Sequence, residues 1–129
     1  MNLYHISTRA AWAEAEHRGV YEAPSLKTEG FVHCSTAAQV LPAARRFFAG
    51  QTGLVLLVLD PTRLTSTLKW GQVLDDPASV PGEQASAYPH IYGPINLDAV
   101  QEVLDLEPGP NGEFRAPAIV RREAETQEG

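Results

Sequence analysis

The chain has one cysteine, Cys34, in 129 residues. No disulfide can form within it, which suits a reducing compartment. It has no apolar run long enough to cross a bilayer: Leu54 to Leu59 is the longest, far short of the roughly 20 residues that a membrane helix needs. It has few cations, with 10 Lys and Arg against 16 Asp and Glu for a net charge of -6. A broad phosphate-gripping surface needs clustered basic side chains, and Arg45-Arg46 is the nearest approach to one. DNA is therefore excluded as a partner, and RNA is disfavoured. Neither standard glycine-rich phosphate loop occurs, and no carboxylate pair suggests glycoside chemistry. Met1 to Ser7 has neither the basic start nor the apolar run of a signal peptide. These absences lead to the expectation of a soluble, cytoplasmic protein with no membrane association.

What is present suffices for a core, since 43% of the residues are hydrophobic. We expect one domain over residues 1–120, followed by a charged tail, 121–129, without apolar anchors and disordered. Asn2 to Ser7 has strand character. Thr8 or Ser7 can cap a helix over Arg9 to Arg18 that stops at Gly19, with Glu14 and Arg18 paired on its surface. Val20 to Gly30 is a connector, and Phe31 to Ser35 a central strand. Thr36 and Gln39 have capping-box spacing for a helix running to Phe48. Pro42 implies a kink in that helix or a later start. Leu54 to Leu59 does not alternate, so it should be a strand buried on both faces. Gly71 to Ala87 has little periodicity, and a loop of that length is functional or mobile. Asn96 to Leu106 reads as a helical turn leading into a strand, Pro108 to Gly112 as a hairpin-type connection, and Phe114 to Val120 as a returning strand.

The chemistry concentrates in three short segments. In a strand, alternate side chains face opposite ways. In Glu29-Gly30-Phe31-Val32-His33-Cys34-Ser35, His33 and Ser35 then share one face while Val32 and Cys34 take the other. His5 and Ser7 share a face near the N-terminus, and His90 and Tyr92 do so later. Three of the four histidines thus stand in strand-like segments with a hydroxyl two residues on; His17, among charged residues, belongs to the surface. Each of the three could be a structural histidine, but repetition points to a site, because buried polar groups cost stability unless paired. Three histidines could also hold zinc with an open position, yet no two have the local spacing of such ligands. Cys34 with a histidine base is a further option; the alternation turns Cys34 toward the core and disfavours it.

Tyr4-His5-Ile6, the segment from Glu29 to Ser35, and Pro89-His90-Ile91-Tyr92-Gly93 together resemble a family of small, mainly bacterial proteins known as domain of unknown function 952. The resemblance runs from Leu3 to about Pro117 and takes in Tyr21, Ser25-Leu26 and Phe47-Phe48. It implies an ADP-ribosyltransferase-like fold: α+β, a split, mostly antiparallel β core with two N-terminal helices. In that superfamily a strand-borne histidine near the start holds the NAD ribose, and His5 matches it. His33 resembles the second histidine of the RNA 2′-phosphotransferase branch. By the same likeness Ser7, Thr8 and Ser35 would contact ribose or the nicotinamide amide, Tyr21 would stack on the nicotinamide ring, and Ser25 and Tyr92 would join the binding surface. His5 would anchor ribose hydroxyls, His33 would polarise a group or exchange a proton, and His90 would bind phosphate or act as a second acid–base group. The 71–87 loop would be a lid. The implied ligand is NAD, as a substrate, or an ADP-ribose-like nucleotide; the alternative is a module that binds without catalysis. Two departures stand out. The third motif supplies His90 and Tyr92 in place of the usual late glutamate; Glu29 is next to the central strand and Glu113 near the last one, and neither matches the usual position. The arginines of the phosphotransferase branch have no counterpart beyond Arg9.

Overall fold

Leu54–Leu59 (β4) is the strand on which the rest is built. In a computed structural model, which describes residues 1–71 and 87–128, all six of its residues are buried. It lies between Leu3–Thr8 (β1) and Val100–Asp105 (β8), antiparallel to both. With no polar side chain, such a strand needs an apolar layer above and below. Tyr4, Ile6, Leu54, Leu56 and Val58 pack on one face of this sheet against Val40 and Ala44. Leu3, Val55, Leu57 and Leu59 pack on the other against Ala15, Tyr21, Val32 and Ile91.

The helix after β1, Arg9–Arg18 (α1), has the expected bounds: Thr8 Oγ1 accepts from the Ala11 amide, and Gly19 closes it at φ 84°. That left-handed conformation costs glycine little. Arg18 pairs forward with Glu22 at 3.3 Å, not back with Glu14. Val20–Tyr21 (β2) follows, and the connector holds a short helix, Pro24–Thr28 (α2). The central segment contributes only Val32–His33 (β3) as strand. The Thr36–Gln39 capping box forms, but it opens a 3-10 turn over Ala37–Gln39, and the α-helix, Val40–Phe47 (α3), starts later. Pro42 thereby falls in the first turn of α3, where its missing N–H costs no helical hydrogen bond.

Thr67–Gly71 (β5) and Tyr88–Tyr92 (β6) pair with β3 in the order β3-β6-β5, and Ile95–Asn96 (β7) pairs with β2. All pairings are antiparallel. The expected lid lies outside the described residues except for Gly71 and Ala87. A 3-10 turn at Leu97–Ala99 leads into β8 as anticipated, and Gly109 N–H to Glu113 O at 2.7 Å closes the later connection.

The C-terminal expectation fails. Phe114 makes one bridge with Pro108, but no strand follows, and Ala118–Glu128 is a helix (α4) where a disordered tail was expected. Its anchors are sparse in sequence but effective in space: Val120 is buried in the core with Ile119 and Ala124 packed beside it. Glu123 also accepts from the Asn2 backbone and side-chain amides at 2.7 and 3.0 Å. Among the described residues, no helix is long and apolar enough to cross a membrane. The architecture is α+β with antiparallel sheets and few helices.

Candidate functional site

The segment from Val32 to Ser35 joins two sheets, and that brings the histidines together. Val32 and His33 pair with Ile91 and His90 of β6. The Cys34 amide donates to Pro89 O at 3.0 Å. One residue on, Ser35 exchanges two backbone hydrogen bonds with Tyr4 of β1, at 2.7 and 2.8 Å. A chain that pairs with β6 and then with β1 holds His5, His33 and His90 at one place. All three line a cavity of about 750 Å³.

His5 is 7% exposed, and both of its ring nitrogens are engaged. Nδ1 lies 2.6 Å from His33 O. A carbonyl only accepts, so Nδ1 carries the proton. Nε2 therefore offers a lone pair, and the Tyr21 hydroxyl, 2.7 Å away, donates to it. Burial pushes the His5 pKa down to about 4, against the hydrogen bond to His33, which acts to raise it. Burial pushes the Tyr21 phenol up to about 12, so it stays a donor at neutral pH.

His33 is half exposed, and its Nε2 lies 2.8 Å from the Glu29 carboxylate. The carboxylate accepts, so in the neutral ring Nδ1 holds the lone pair. Phe31 stacks on His90 with ring centroids 4.2 Å apart and planes at 22°, and it meets His33 edge-on at 4.8 Å. His90 is 5% exposed, and its Nε2 has no hydrogen-bond partner among the described residues. Burial, then the His33 charge, lower its pKa. A buried imidazole nitrogen without a partner is costly.

Gly71 backs this ring. A Cβ there would come within 2.9 Å of His90 Nδ1 and 3.0 Å of Cε1, closer than real side chains approach, and Phe31 holds the ring from its face. Gly71→Ala is expected to push the imidazole outward, raising the His90 pKa toward the ordinary histidine value as its burial is relieved. A histidine-ring NMR titration checks this. An unchanged His90 titration in a folded variant would show that the ring does not need the glycine.

Of the other candidates, Ser7, Thr8, Tyr21, Ser25 and Ser35 line the cavity, and Tyr92 does not. Tyr92 shares the His90 face, but two strand residues carry its ring about 7 Å along. There it is 43% exposed, 5.3 Å from Phe31, with Lys69 Nζ 5.4 Å from its ring centre. Three hydroxyls are already engaged: Ser7 donates to Thr8 O, Thr8 caps α1, and Ser25 donates to Phe31 O at 2.8 Å. Phe31, Glu29, Tyr88, Phe47 and Phe48 also line it. For Phe31 and Glu29 a signal existed, since they continue the odd-numbered face of His33 and Ser35. Tyr88 likewise shares the parity of His90. Cys34 touches the cavity, but it is buried and its burial pushes the thiol pKa up, which removes the thiolate a nucleophile needs. Among the described residues no three His, Cys, Asp or Glu side chains form a metal-holding group.

Comparison with known proteins gives relatives without an assigned activity. No curated protein sequence matches the chain. Protein CC0527 from Caulobacter crescentus has a similar crystal structure, with a TM-score of 0.77 and 29% identity over 94% of this chain and 99% of that one. Its solution NMR structure gives a TM-score of 0.63 and 27% identity over 87% and 90%. The family described as "Protein of unknown function (DUF952)" matches residues 6–103, which include His33 and His90 and begin one residue after His5. Because that match spans most of its length, the chain belongs to the DUF952 family.

Proposed function

We propose that the protein binds NAD or an ADP-ribose-like ligand in the three-histidine cavity, on an ADP-ribosyltransferase-like fold, and with NAD transfers the ADP-ribosyl group to an acceptor. The observation that carries this reading is the convergence of His5, His33 and His90 with Tyr21, Phe31 and Glu29 on one cavity of about 750 Å³. That volume suits a ribosyl-heterocycle. His5 offers Nε2 as a fixed acceptor, and a ribose hydroxyl can take the place that the Tyr21 hydroxyl holds. Phe31 and Tyr21 supply ring surfaces. Breaking the bond from ribose C1′ to the nicotinamide nitrogen sends its electron pair to the leaving ring and builds positive charge on the ribose. Glu29 is the carboxylate that can stabilise that charge. As the acceptor bonds to C1′, His33, oriented by Glu29, takes the acceptor's proton.

Titration calorimetry with NAD and ADP-ribose, followed by a nicotinamide-release assay, tests the proposal. The expected result is NAD binding, with release that falls at least about 100-fold in His33→Asn while binding persists. Absence of binding by either ligand would remove the proposal. A second reading, binding without turnover, is favoured by Glu29 being half exposed, where water screens a catalytic charge. Binding with no release identifies that case.

A further inference from the structure

The charge around the cavity says which part of such a ligand it admits. Among the described residues its lining includes one carboxylate, Glu29, and no lysine or arginine. Four of the described cations have partners of their own. Arg9 pairs with Asp105 and Glu107, Arg18 with Glu22, Arg63 with Asp60, and Lys69 sits over Tyr92. Residues 72–86 cannot add one, because they include Asp75, Asp76 and Glu83 but no lysine, arginine or histidine. A phosphate inside this cavity would give up its hydration with no permanent cation to replace it, and would face a carboxylate. A cation meets the opposite conditions. Aromatic faces attract it, and Tyr21, Phe31, Phe47, Phe48 and Tyr88 all line the cavity.

We infer that the cavity is selective for a phosphate-free, positively charged nucleoside end, a pyridinium riboside, and excludes the phosphate of the same ligand. The inference rests on the nucleotide-binding reading above and names the half of the molecule that enters. A dinucleotide would then bind with its pyrophosphate outside the aromatic walls.

Calorimetry on the full chain with nicotinamide riboside, nicotinamide mononucleotide and NAD is the test. The riboside and the mononucleotide differ only in the 5′-phosphate. The expected result is riboside binding about tenfold tighter than mononucleotide binding, the gap narrowing as salt is raised. Glu29→Gln keeps a hydrogen-bonding side chain beside His33 and removes the charge. It should weaken the riboside about tenfold and the mononucleotide less, so that their ratio approaches one; circular dichroism confirms that the variant is folded. Tighter binding of the mononucleotide overturns the inference, as does a ratio that Glu29→Gln leaves unchanged. NAD binding with neither fragment bound also overturns it, while the nucleotide-binding reading stands in each of these three cases. Failure of all three ligands removes both.

Discussion

Between neutral pH and about pH 4, His5 alone is expected to remove about 3 kcal/mol from the stability of the fold. Its ring is buried and neutral, with Nδ1 donating to His33 O and Nε2 accepting from Tyr21. In the unfolded chain it titrates near the ordinary 6.5, in the folded chain near about 4. The unfolded state therefore binds the proton more readily in that interval, and stability falls as pH falls. Above the unfolded value both states are neutral and there is no penalty. The loss grows as pH drops from about 6.5 to about 4, at about 1.4 kcal/mol per pH unit, and is constant below. His90, also lowered by burial, acts in the same direction. Carboxylates begin to titrate at the acid end, so wild type must be compared with His5→Asn, which keeps a donor near His33 O and cannot charge. Urea denaturation at several pH values should give a steeper acid loss for wild type. Parallel profiles for the two proteins would refute a neutral, buried His5.

Leu56→Ala should cost about 3 kcal/mol, within the range of roughly 2 to 5 seen for buried leucines. Leu56 is fully buried, faces Tyr4 and Val40 in one core, and lies on a strand with neighbours on both sides. Removing its branched end loses the transfer free energy and leaves a cavity that a paired central strand cannot collapse to fill. Leu57→Ala should cost a similar amount through the opposite core. Leu57 is also the register partner of His5, so this second variant should disturb the His5 titration and the first should not. Val103→Ala, at an exposed position of β8, should change stability by less than about 1 kcal/mol. The measurement is the urea midpoint of each variant. Equal losses for Leu56→Ala and Val103→Ala would mean that β4 is not the centre of the core.

Much of the local structure can be read from the residues. The capping threonine and the stopping glycine bracket α1 at its observed ends, because both act within one turn of the chain. The non-alternating apolar run is the doubly buried strand. Alternation places Val32 and Cys34 in the core and Tyr4 apart from His5. The same logic fails where few residues carry the information. α4 has too short an apolar stripe to stand out from its charged residues, and its docking depends on Asn2, far away in sequence.

The sequence by itself determined which side chains share a face, since that follows from a two-residue period along each extended segment. Tertiary structure alone decided that the three faces meet, because Ser35 pairs with Tyr4 while His33 pairs with His90. No local rule contains that long-range register. It also decided that both His5 nitrogens are engaged, that Tyr92 stands outside the cavity, and that Glu29 is the one carboxylate lining it among the described residues. Each of these depends on which atoms from distant segments come within hydrogen-bonding reach, and only the folded chain brings them there.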